Sequence, residues 1–106
     1  MKKEMRKRLE DAGWRVGTTR QFLELDDVEN ELVEMKLALA ERVRSVRLSA
    51  GLTQLDLAKR IGSSQSRVAR IEAADRSVSM DLLVRTLLAA GGDRREVARA
   101  MASRKR

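Results

Sequence analysis

The sequence predicts an all-α protein. Three observations lead there. No Pro occurs among the 106 residues, so the strongest helix breaker is missing. Trp14 and Phe22 are the only aromatic residues, so a core must be built from Leu, Val, Ile, Ala and Met, most of them good helix formers. Ser, Thr or Asp precedes most of the apolar-periodic segments and Gly follows most of them, the punctuation of capped helices. The composition, 42% apolar and 37% charged, is that of a globular chain with a heavily charged surface. Its length accommodates one compact domain with an extension.

The elements follow in order. Met1 to Ala12 reads as a short helix stopped by Gly13. Gly13 to Gly17 reads as a turn or extended piece, and Thr18 or Thr19 as the cap of a brief helix over 20–25. Asp26 is the expected N-cap of a long helix whose first turns are acidic, matching the helix dipole. Leu25, Val28, Leu32, Met35, Leu39, Val43 and Val46 recur at steps of three and four, one apolar stripe running to about Ser49. Leu37, Ala38 and Ala40 widen that stripe, and Gly51 ends the helix. Three shorter helices follow, capped by Thr53, Ser64 and Ser79 and closing near Gly62, Ala73 and Gly91. Asp93 caps a last helix over 94–102.

The pair capped by Thr53 and Ser64 has the form of a helix-turn-helix, two short helices joined by about three residues that include Gly. Ala58 permits close approach, Gly62 supplies the turn, and Leu52, Leu57, Ile61, Val68 and Ile71 give an inner face. The outer face of the second helix carries Gln65, Ser66, Arg67 and Arg70. Gln pairs with adenine in the major groove and Arg with guanine. Ser64 at the cap leaves N–H groups suited to a phosphate, and Gln54 can hold another. The net charge of +7 fits a polyanionic partner.

Arg47, Gly51-Leu52-Thr53-Gln54, Leu57-Ala58, Ile61-Gly62, Ser64-Gln65-Ser66, Val68, Arg70-Ile71-Glu72 and Ser79 together resemble the lambda-repressor/Cro type of helix-turn-helix, the XRE family, over residues 42–91. The resemblance implies a bundle of about five helices, sequence-specific binding to double-stranded DNA, and usually a homodimer on a palindromic site. It places Gln65, Ser66 and Arg70 against base edges, with Arg67 near base or phosphate. Gln54, Ser64, Ser77 and Ser79 fall on phosphate-contacting positions. Arg47 and Glu72 match a structural salt bridge. The chain departs from the family pattern at Ala73-Ala74-Asp75, where Gly is usual, so the left-handed turn there is expected to be absent or strained. Ala90 stands where a larger apolar residue is common, which leaves the packing of the last helix open.

The expected organisation is an N-terminal extension over 1–35, the helix-turn-helix domain over 36–92, and a C-terminal helix with a basic tail over 93–106. The extension has three readings. Trp14, Phe22 and Leu23 pack on the core; the Val28–Met35 part of the stripe forms a dimer interface; or the extension binds a partner protein. For the last, small XRE proteins with an added segment resemble HigA-type antitoxins, whose toxins are basic ribonucleases of the RelE-like fold. The acidic block from Glu24 to Glu34, which contains no Lys or Arg, would complement such a toxin.

With no Cys and no His, disulfides, thiolate chemistry, the usual zinc sites and the commonest general base are excluded. No catalytic motif stands out, so neither an enzyme nor a cofactor is expected. RNA binding is a weaker alternative, because it leans on exposed aromatics. With no signal-peptide pattern and no membrane-length apolar run, the expected location is cytoplasmic, on the nucleoid.

Overall fold

The computed structural model describes residues 3–12 and 27–103. Six helices and no strand occur among them: α1 (Lys3–Asp11), α2 (Asp27–Ser49), α3 (Gln54–Arg60), α4 (Gln65–Glu72), α5 (Met80–Ala90) and α6 (Arg94–Ala102). The expectations for Gly13 to Asp26, including the brief helix, the Asp26 cap and the packing of Trp14, Phe22 and Leu23, lie outside the described residues.

α2 is the spine. It packs against α5 and α6 and touches α4, while α3 packs on α4 and α5. The core is aliphatic: Leu37, Leu39, Ala40 and Val43 of α2 meet Leu57, Ala58, Val68, Ile71, Leu83, Leu87 and Ala90. Thr86 is also fully buried, and its hydroxyl donates to Leu82 O at 2.7 Å, so no polar group is stranded there.

The apolar stripe of α2 needs correction. Its second half holds, with Leu39 and Val43 buried and Val46 packed against the core. In the first half the buried positions are Val33, Lys36 and Leu37, whereas Val28 is 76% and Leu32 43% exposed. The physical reason is length. A 23-residue helix is about 34 Å long at 1.5 Å per residue and outruns the bundle. Only where other helices cover it does periodicity report burial. Leu37 and Ala40, read as a broadening of the stripe, sit at the centre of the true face.

The caps form by local chemistry. Thr53 and Asp56 make a reciprocal capping box: Asp56 N–H donates to Thr53 Oγ1 at 3.0 Å, and Thr53 N–H to Asp56 Oδ2 at 2.9 Å. Ser64, Ser79 and Asp93 each accept from the N–H three residues on. Gly62 turns between α3 and α4 at φ +63°. Gly92 is a close-approach glycine, since a Cβ there would lie 3.0 Å from Leu87.

Of the two expectations for the turn after α4, absent or strained, the second holds. Ala74 itself takes the left-handed conformation, at φ +55°. Asp75 N–H donates to Arg70 O at 3.0 Å and closes the helix end. Packing holds it there: Ala74 is buried, and on the next peptide Arg76 N–H donates to Ala12 O at 2.8 Å. The C-terminal end of α1 is thereby tied to the exit of α4. Arg8 also pairs with Glu41 of α2. Ala90 is fully buried, and α6 docks on α2 through Val97, Ala100 and an Arg42–Glu96 ion pair.

Candidate nucleic-acid interface

The helix pair α3–α4 is built from the inside outward. Leu57 and Ala58 of α3 and Val68 and Ile71 of α4 have no exposed surface. Leu52 and Ile61, expected on the same inner face, are half-buried at its edge. With that face locked, the sides carrying Gln65, Ser66, Arg67 and Arg70 are turned to solvent.

A connected set of polar groups runs from α2 to the start of α4. Arg47 grips Glu72 with two parallel bonds, Nε to Oε2 at 2.6 Å and Nη2 to Oε1 at 3.0 Å. Its third donor, Nη1, reaches Leu52 O at 2.9 Å. The hydrogen bonds to Glu72 raise the guanidinium's pKa, although burial opposes the shift. Gln54 Nε2 donates to Glu72 Oε1 at 3.2 Å. Gln54 Oε1 in turn accepts from Gln65 Nε2 at 2.6 Å. The buried ion pair thus orients Gln54, and Gln54 orients the amide of Gln65. Sequence reasoning assigned Gln54 to phosphate alone. Its link to Gln65 depends on how closely two helices approach, and no local pattern reports that.

The hydroxyls are also engaged. Ser64 Oγ accepts from Arg67 N–H at 3.2 Å and lies 3.2 Å from Ser66 Oγ. Ser79 Oγ accepts from Leu82 N–H at 3.1 Å. Ser77 directs both its donors at Asp75 Oδ1, the hydroxyl at 2.7 Å and the N–H at 2.9 Å. Those two bonds, the hydroxyl's first, hold the Asp75 carboxyl below its ordinary range. Asp75 also faces Lys36 of α2, whose ammonium burial pushes below the usual lysine value. The carboxylate beside Ser77 is a feature that the family pattern gave no reason to expect.

Among the described residues no cluster of three or more carboxylates could hold a metal ion, and no helix is long and apolar enough to cross a membrane.

Residues 43–89 match a family model described as helix-turn-helix. No curated protein and no solved structure matches the chain. The matched segment begins in the second half of α2 and ends one residue before the end of α5, so it contains the whole α3–α4 pair and the Arg47–Glu72 clamp. The family model is that of the XRE-type helix-turn-helix, a family of DNA-binding transcription regulators, and the segment similar to it is a little under half of the chain.

Proposed function

We propose that the protein is a sequence-specific regulator that reads the major groove of double-stranded DNA with α4, and that it does so as a homodimer on a palindromic site. The observation that carries this is the division of α4. Val68 and Ile71 are fixed in the core, while Gln65, Ser66, Arg67 and Arg70 stand exposed on the helix, with Gln65 oriented from behind by Gln54. A rigid helix presenting amides and guanidiniums is what base-edge recognition requires. Ser64 and Ser79, at the N-termini of α4 and α5, are assigned to phosphate, where backbone N–H groups favour an anion. Gln54 and Ser77 belong to the same set, Ser77 only where a phosphate displaces Asp75. Arg47 and Glu72 serve structure.

The test is selection of a binding site from random duplexes, followed by titration of variants on that site. Gln65→Ala and Arg70→Ala should each cost about 1–3 kcal/mol and relax the preference at one base position. Full affinity and unchanged preference in both would overturn the assignment. Sedimentation with and without the duplex reads the dimer, and a single protomer on the selected site removes that part of the reading.

A second reading is an antitoxin of a HigB/HigA-type pair, which neutralises a basic RelE-like toxin and represses its own operon. The acidic first half of α2 favours it: Asp27, Glu29, Glu31 and Glu34 lie there without a Lys or Arg. On either reading, the division into 1–35, 36–92 and 93–106 separates partner contact from DNA contact. A small basic reading frame beside the gene, with a product that co-purifies, would support the second reading.

A further inference from the structure

The first turns of α2 carry an apolar ridge that the bundle does not cover. At 100° per residue, Val28, Leu32 and Met35 lie within about 60° of one another around the helix axis. The buried positions of α2, from Val33 to Arg47, are centred about 90° away. Val28 is 76% exposed, Leu32 43%, and Met35 half-buried. Single exposed aliphatics are ordinary, but two in register on one helix, continued by a half-buried Met35, form a ridge.

Charge decides what covers them. Asp27, Glu31 and Glu34 flank the ridge on one side and Glu29 on the other. A second copy of this chain is a poor occupant. Twofold pairing through the ridge would bring the acidic turns of two copies together, and like charges across an interface oppose association. Duplex DNA is repelled for the same reason. We infer that this ridge is a docking surface for a basic partner protein, which lays against it a helix bearing aliphatic side chains between flanking lysines or arginines. Side chains at steps of three and four fit the grooves of such a helix, and Met35 adapts to irregular contact. The surface goes beyond DNA binding and holds for any basic partner, toxin or not.

The experiment uses the full chain without DNA, so its failure leaves the DNA reading untouched. The probe is a synthetic amphipathic helix with leucines on one face bordered by lysines. A scrambled peptide of the same composition has the same charge but no apolar face. Amide chemical shifts should move over 27–36 with the amphipathic peptide and stay with the scrambled one. Val28→Lys with Leu32→Lys should weaken binding at least about tenfold, as loss of a central anchor does. Both side chains are exposed, so the fold should persist, and far-ultraviolet circular dichroism checks this. Asp27→Asn with Glu34→Gln tests the charge separately and should also weaken binding. Equal binding of the scrambled peptide, shifts confined to other helices, or no binding would overturn the proposal. So would a lysine variant that turns a dimer into a monomer by sedimentation, because the ridge would then belong to a second copy.

Discussion

Glu72 is the residue on which the proposed reading face depends. Its carboxylate is almost fully buried, 5% exposed in the side chain, and accepts from both Arg47 and Gln54. Glu72→Ala leaves the Arg47 guanidinium buried without a counter-charge, holding only Leu52 O, which should destabilise the fold by roughly 3–5 kcal/mol in urea unfolding. It also frees Gln54, so what folds should show weaker preference at the base read by Gln65. An effect on stability alone, with specificity intact, would show that the Gln54 link orients nothing. Asp56 gives a prediction in pH. The hydrogen bond from Thr53 N–H, then that involving the Thr53 hydroxyl, lowers its carboxyl from the ordinary aspartate value. A depressed folded-state pKa means that the contribution is full above the unfolded value, near 4, and is lost as pH falls through the folded one. Asp56→Asn should therefore flatten part of the stability loss below about pH 4, with little change in slope near pH 7. The exposure of Gln65, Ser66, Arg67 and Arg70 on α4 was legible in the sequence, because Val68 and Ile71 mark the opposite, inner face. The Arg47 clamp was legible only through family likeness. Its extension through Gln54 was not legible at all, since residues 47, 54, 65 and 72 meet only once three helices have packed.

At the scale of elements, starts and stops were legible and exposure was not. A cap is a local hydrogen bond, so Thr53, Ser64, Ser79 and Asp93 announce themselves. The first half of α2 misled because its ridge has helical spacing while Val28 and Leu32 stay exposed, and spacing cannot say which stripe a bundle will cover. The exit of α4 shows the opposite limit. The sequence lacks the glycine that such a turn favours, yet the turn forms, with buried Ala74 in the left-handed region. That conformation costs an L-residue about 1–2 kcal/mol. Ala74→Gly would relieve it, but would lose a buried methyl of about 0.8 kcal/mol and gain unfolded-state entropy. The net change should be within about 1 kcal/mol. Ala74→Val sets a β-branched residue at positive φ and overfills a buried site, and should cost about 2–3 kcal/mol. Urea midpoints for the two variants check the contrast. A tolerated valine would mean that the turn opens rather than holds its left-handed form.

The whole molecule has two electrical ends. Six of its sixteen acids lie within 21–34, where no Lys or Arg occurs, so the rest of the chain carries 23 basic against 10 acidic residues, a net +13. Along α2, Asp27 stands about 30 Å from Arg47 at 1.5 Å per residue, several times the ~8 Å screening length at physiological salt. The acidic end should therefore leave DNA affinity nearly unchanged while the reading end sets it. The observable that separates them is the slope of log affinity against log salt, which counts phosphates neutralised at about 0.9 per contact. Asp27→Asn, Glu29→Gln, Glu31→Gln and Glu34→Gln combined should leave that slope as it is, with at most a faster association at low salt. If Arg67 meets a phosphate, Arg67→Ala should lower the slope by about 0.9, and if it meets only a base the slope should hold while the sequence preference relaxes. A slope that steepens in the neutralised variant would place the first turns of α2 against the duplex. DNA would then compete with any protein for the Val28–Leu32 ridge, and the two ends would not act independently.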